Sequence, residues 1–146
     1  MTLKRAKRDL FLLWMSGGIL LFIVLIAQSY GGHYEPKTRE AWGWLLPLIL
    51  PTLALIIGVV VADAQTGKNQ DADEAAANVG PMVYWLGFGL SLFYLLLVAL
   101  AILVQPMSQS SPMEVLQLSN LWLGPLQGLT AGVLAVFFRS SKPKAA

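Results

Sequence analysis

The sequence predicts an all-α integral membrane protein, a four-transmembrane-helix bundle with both termini on the cytoplasmic side. Three observations predict it. Four apolar blocks, 11–27, 44–62, 82–104 and 121–138, contain no Asp, Glu, Lys, Arg or His. Each approaches the roughly 20 residues that a helix needs to cross a ~30 Å hydrocarbon layer, whereas barrel strands would alternate polar and apolar residues. Only 12% of the 146 residues are charged, against about a quarter in a soluble domain. Finally, eight of the ten Lys and Arg residues fall on one side of such a bundle, and positive charge is retained in the cytoplasm. The expected organisation is one membrane domain over 1–146, with helices near 10–30, 43–64, 81–105 and 112–139.

The first helix follows "MTLKRAKRDL", a basic segment that resembles the start of a signal peptide, and ends at the small residues of "AQS". We read it as a retained helix whose Gly17 and Gln28 share one face. Lys4, Arg5, Lys7 and Arg8 hold its start in the cytoplasm. The outer loop "YGGHYEPKTREAWGW" is short and polar. Tyr30, Tyr34, Trp42 and Trp44 are placed to anchor at the outer interface, Tyr84 and Trp85 at the inner one, and Trp122 nearer the outer face.

In the second helix Pro47, Pro51, Ala54, Gly58 and Ala62 share a face, and the two prolines should bend its outer half. The inner loop over 63–80 is the longest connection, and Asp71 with Glu74 three residues on reads as a capping box. In the third helix Tyr84, Gly87, Ser91 and Tyr94 share a face. The fourth helix has the strongest start signal: Ser111 as N-cap, Pro112 at the first position and Glu114 at the third. Pro125 should kink it near Gly124. "RSSKPKAA" reads as a basic tail that sets topology.

The fourth helix carries the most information. At about 100° per residue, Glu114, Gln117, Asn120, Gly124, Gln127, Gly128, Ala131, Gly132 and Ala135 fall within one arc. Leu118, Trp122, Leu126, Leu129, Val133 and Val136 fall opposite. Glycine is a poor helix former, so three glycines at four-residue spacing need a reason. In lipid, small residues let backbones approach and amides bond across the gap. The small, polar face of this glycine zipper is therefore expected either to pack inside the bundle or to meet other copies and line a pore. Glu114, Gln117, Asn120, Gly124, Gln127, Gly128, Ala131 and Gly132 are the candidate pore-lining or interface residues.

Several chemistries are disfavoured. No ionisable residue lies inside an apolar block to serve as a proton relay or ion site. There is no cysteine and only one histidine, His33. His33 and Glu35 alone make a poor metal site, "TGKN" lacks the pattern of a phosphate loop, and "DADE" lacks that of a calcium loop. We expect no catalytic residues, no metal and no cofactor, and the net charge of +2 reflects topology rather than a nucleic-acid partner.

The function expected is that of a small membrane protein assembling into a homo-oligomeric ion channel or membrane-permeabilising pore, with a bacterial defence-type effector as one analogy of size and architecture. The alternative is a non-catalytic anchor or subunit of a larger membrane complex. The expected partners are the lipid bilayer, other copies bound through the fourth helix, and a soluble protein at the cytoplasmic loop 63–80. The expected location is the bacterial inner membrane.

Overall fold

The computed structural model describes residues 2–66, 78–105 and 112–138. Among the described residues the protein is all-helical, with four helices long and apolar enough to span a membrane. These are α1 (Leu3–Tyr30), α2 (Thr38–Thr66), α3 (Pro81–Val104) and α4 (Pro112–Phe137). The side chains of Ser111, Asp71 and Glu74, and the tail after Phe138, lie outside the described residues.

α1 starts at Leu3, seven residues upstream of the start read from hydropathy. Its first turn has no acidic residue and Thr2 makes no side-chain cap, so the helix dipole works against the basic cluster. Tertiary contacts supply the compensation. Ala6 and Leu10 are fully buried, and the Lys7 ammonium donates to Asp63 Oδ2 at 3.1 Å. Lys7 is itself buried, and breaking a buried ion pair costs several kcal/mol, about 3–5 where burial is complete. Lys7 therefore joins the start of α1 to the end of α2 rather than standing as a free topological charge.

Four contacts define one end of the bundle, here termed the basic end. They are the Lys7–Asp63 pair, the bridge between Thr2 and Asn78, the Tyr84 hydroxyl donating to Asp9, and Phe137 packed over Gly87. At the opposite end Gln28 reaches the Ile102 carbonyl, and Trp44 donates to Ser119 Oγ at 3.1 Å. Successive helices therefore run up, down, up and down. α1 lies between α2 and α3, and α4 also lies between α2 and α3, so α2 and α3 occupy opposite corners.

The core runs the length of the bundle. Trp14 stacks on Tyr94 with ring centroids 5.9 Å apart, an arrangement worth about 0.5–1.5 kcal/mol beyond the area it buries. The Tyr94 hydroxyl crosses to α2 and donates to the Leu48 carbonyl. Helix approach is closest at two glycines. A Cβ on Gly17 would lie 2.8 Å from Leu95 Cδ1, and one on Gly87 would lie 2.7 Å from Phe137 Cε2.

The turn after α1 uses Gly32 at φ +73°, a left-handed conformation that glycine adopts without steric cost. Two residues expected as interfacial anchors have other roles. Tyr34 is buried and donates to Gln28 Oε1, and desolvation pushes its phenol up to about 12. Trp44 is buried and bonded to α4. Each ring meets its polar requirement inside the protein. Tyr30 and Trp85, by contrast, are exposed.

Candidate functional site: the outward seam between α2 and α4

The face that α4 turns into the bundle is neither of the two that the sequence distinguishes. Leu116, Ser119, Leu123, Thr130, Leu134 and Phe137 are buried, and on the helical wheel they form a third arc between the small face and the bulky one. Leu118, Leu129 and Val136 of the bulky face are exposed, as are Glu114, Gln117, Asn120, Gly124, Gly128, Gly132 and Ala135 of the small face. Only Ala131 and Gln127 are half-buried. The alternative in which the small face packs inside the four-helix bundle is not what the chain adopts. A Cβ added at Gly124, Gly128 or Gly132 would meet none of the described residues within 4 Å.

Gln127 lies at the edge where the small face meets the bundle. Its Nε2 donates to the Pro47 carbonyl of α2 at 2.9 Å. The reason is visible in α2 itself. The Pro47 carbonyl would ordinarily accept the backbone N–H of residue 51, but residue 51 is proline and has none. Gln127 supplies the missing donor from the neighbouring helix. The same device recurs at the opposite corner. Gln28 Nε2 donates to the Ile102 carbonyl at 3.2 Å, and residue 106, four further on, is also proline. Both α2 and α4 remain helical through their internal prolines, and a side-chain amide makes good one lost bond in α2.

The Gln127–Pro47 and Trp44–Ser119 bonds place the small residues of α2 on its α4 side. The far side of α2 meets α1 instead, where Leu53 and Ile49 pack against Gly18. Pro47, Pro51, Ala54, Gly58 and Ala62 are all exposed, and a Cβ at Gly58 also meets open space. The small faces of α2 and α4 thus flank one seam. The α1 and α3 side differs: Leu12, Leu20, Leu96 and Leu100 are each more than half exposed. The small-residue stripes and internal prolines of the helices thus gather on the α2–α4 side, with Leu121 exposed among them, while the α1–α3 side exposes several leucines.

The polar groups on the seam are Glu114, Gln117 and Asn120 towards the start of α4, with Gln127 further along. Glu114 and Gln117 flank a shallow depression with Leu118 and Leu121. Two backbone acceptors accompany them. Pro47 and Pro125 cannot donate to the carbonyls of Gly43 and Leu121, and Gly43 and Leu121 both lie on exposed positions. Among the described residues no group of three or more His, Cys, Asp or Glu side chains is placed to hold a metal ion, and His33 and Glu35 are exposed in the first loop. Sequence reasoning missed Ser119, whose hydroxyl accepts from Trp44 and donates to the Leu116 carbonyl. Its position on the wheel, beside Leu116 and Leu123, was the available signal. No family model matches the chain, and no curated protein or solved structure is significantly similar to it.

Proposed function

We propose that this chain acts by assembling with copies of itself in a membrane, through the α2–α4 seam, into a channel or permeabilising pore. The carrying observation is the asymmetry of the bundle. In lipid, bulky apolar side chains need no protein partner, whereas small residues gain from the close approach of another helix. The seam has open space at each glycine of α4, with no described residue of the chain against it, and is therefore open to a helix of another subunit. The carbonyls of Gly43 and Leu121 support the same reading. Pro47 and Pro125 cannot donate to them, which leaves each free to accept from a second subunit or from water in a lumen. Glu114, Gln117 and Asn120 would then hydrate the outer half of the pathway, and the glycines would narrow the rest.

The membrane reading places both termini in the cytoplasm, because Lys4, Arg5, Lys7, Arg8, Lys68, Arg139, Lys142 and Lys144 share one side. The bacterial inner membrane is the setting this topology suits. A membrane-impermeant label on a cysteine introduced after Arg139 should react from the opposite side to one introduced near Lys37. Reaction of both from the same side would overturn the four-crossing topology.

The first test of assembly is the mass of the purified chain in detergent. A defined homo-oligomer supports the pore. A stable monomer sinks self-assembly and favours a non-catalytic anchor that docks the same seam on a different membrane protein. Conduction is tested in planar bilayers. A ring of Glu114 carboxylates at the outer mouth would concentrate cations, so Glu114→Lys should shift selectivity towards anions. If Glu114 only stabilises the start of α4, its replacement will lower stability by about 1 kcal/mol and leave ion flow unaltered.

A further inference from the structure

The polar side chains inside the bundle are not all satisfied. Trp14 Nε1 and Ser91 Oγ are both fully buried, and neither has a hydrogen-bond partner among the described residues. A buried donor or hydroxyl left unmade costs about 1–3 kcal/mol, and nearly all such groups in native proteins are paired with protein or with ordered water. Ser91 is notable for what it forgoes. Ser16, Ser29, Ser119 and Thr130 each donate to a carbonyl three or four residues back in their own helix. That bond is available to any helical serine. Ser91 does not make it, although the same helical geometry surrounds it.

The two orphan groups belong to one helix pair, Trp14 on the buried face of α1 and Ser91 on that of α3. α1 and α3 run parallel, with Asp9 bonded to Tyr84 and Gln28 to Ile102. Those pairs are 75 and 74 residues apart, and a Cβ on Gly17 would meet Leu95, 78 residues on, so Trp14 lies beside the stretch 88–92 of α3. The Trp14 ring stacks on Tyr94. Ser91 falls within the 88–92 stretch, on the buried face that also carries Gly87 and Tyr94. An indole N–H can only donate, and a serine hydroxyl can both donate and accept.

We propose that Trp14 and Ser91 form a binding site for one water molecule at the centre of the bundle. The water accepts from the Trp14 indole N–H and bonds the Ser91 hydroxyl. Buried waters bridge otherwise unsatisfied polar groups in this way and need at least two polar partners. The ligand is water rather than an apolar molecule because the groups left open are a donor and a hydroxyl. The site does not depend on the oligomeric state of the chain, because both residues are enclosed within one subunit.

The test uses the full chain, labelled with 15N-tryptophan and folded in detergent micelles. The five tryptophans give five indole signals, and Trp14 is assigned as the signal lost in Trp14→Phe. If that variant does not fold, replacing Trp42, Trp44, Trp85 and Trp122 with Phe one at a time assigns Trp14 by elimination. A bound water produces a rotating-frame cross-peak between the Trp14 indole proton and water. In Ser91→Ala that cross-peak should be lost and the indole proton should move upfield as its bond weakens. Absence of the cross-peak in the unmodified chain overturns the site. A cross-peak and shift unchanged by Ser91→Ala also overturn it, because the water would then be held without Ser91.

Discussion

Gly128→Leu should leave the subunit folded and destroy its assembly. The two effects separate because no described residue of the subunit lies within 4 Å of a Cβ added at Gly128. Within the monomer the change replaces a poor helix former with a good one, a gain of up to about 1 kcal/mol by host–guest scales. Between subunits the branched side chain stands where backbones would need to meet. A tenfold weaker association, about 1.4 kcal/mol, is the least that this should produce. Gly87→Leu is the contrasting control. Its Cβ would sit 2.7 Å from Phe137, inside the contact of α3 with α4. Overpacking of this kind costs about 1–3 kcal/mol or more, so it should lower thermal stability directly. Sedimentation in detergent and thermal melts together read both variants. A Gly128→Leu protein of unchanged mass and unchanged stability would show that the seam is not a tight interface.

Gln127→Leu should destabilise the subunit itself, and Pro51 should determine by how much. The substitution removes the only side-chain donor to the Pro47 carbonyl among the described residues. The backbone cannot compensate, because Pro51 lacks the N–H that an ordinary residue would offer. Interhelical side-chain bonds in membranes are worth about 0.6 kcal/mol on average and up to about 1.7. A carbonyl with no second donor belongs at the upper end of that range. The decisive comparison is made in a Pro51→Ala background. Alanine restores the backbone bond to Pro47, so Gln127→Leu should then cost measurably less. Additive effects of the two substitutions would sink this account, since coupled residues depart from additivity and independent ones do not. The same bond bears on Gln127 as a candidate pore-lining residue. Its amide nitrogen is already engaged with α2, and within the proposed pore the polar lining falls to Gln117, Asn120 and Glu114.

Much of the fold was legible in the amino-acid sequence. The four helices follow from the length of the apolar blocks and from their freedom from charge. Pro112 begins α4 as its position in the "SSPME" segment indicates. The small face of α2 follows from periodicity alone: Pro47, Pro51, Ala54, Gly58 and Ala62 do lie together on one exposed stripe. So does the buried face of α3, where Gly87, Ser91 and Tyr94 meet the core.

The tertiary structure decided which face of each helix meets which neighbour. In water, burial would have identified the inward face of α4 by its apolar residues. In the proposed membrane setting that driving force between helices is weak, which accommodates the observed order: Leu118 and Leu129 outside, Ser119 and Thr130 buried. Hydropathy could not report that ordering. Nor could it extend α1 back to Leu3, since that turn rests on Lys7 meeting Asp63, a residue 56 positions away. The prolines in the sequence show which carbonyls lose a backbone partner. That Gln127 and Gln28 replace those partners depends on helix register and separation, which only the packed bundle defines. Tyr34 and Trp44 make the same point. An amphipathic ring can place its polar atom at an interface or on a buried acceptor, and composition does not distinguish the two. Here the acceptors are Gln28 and Ser119, and folding brings them within reach.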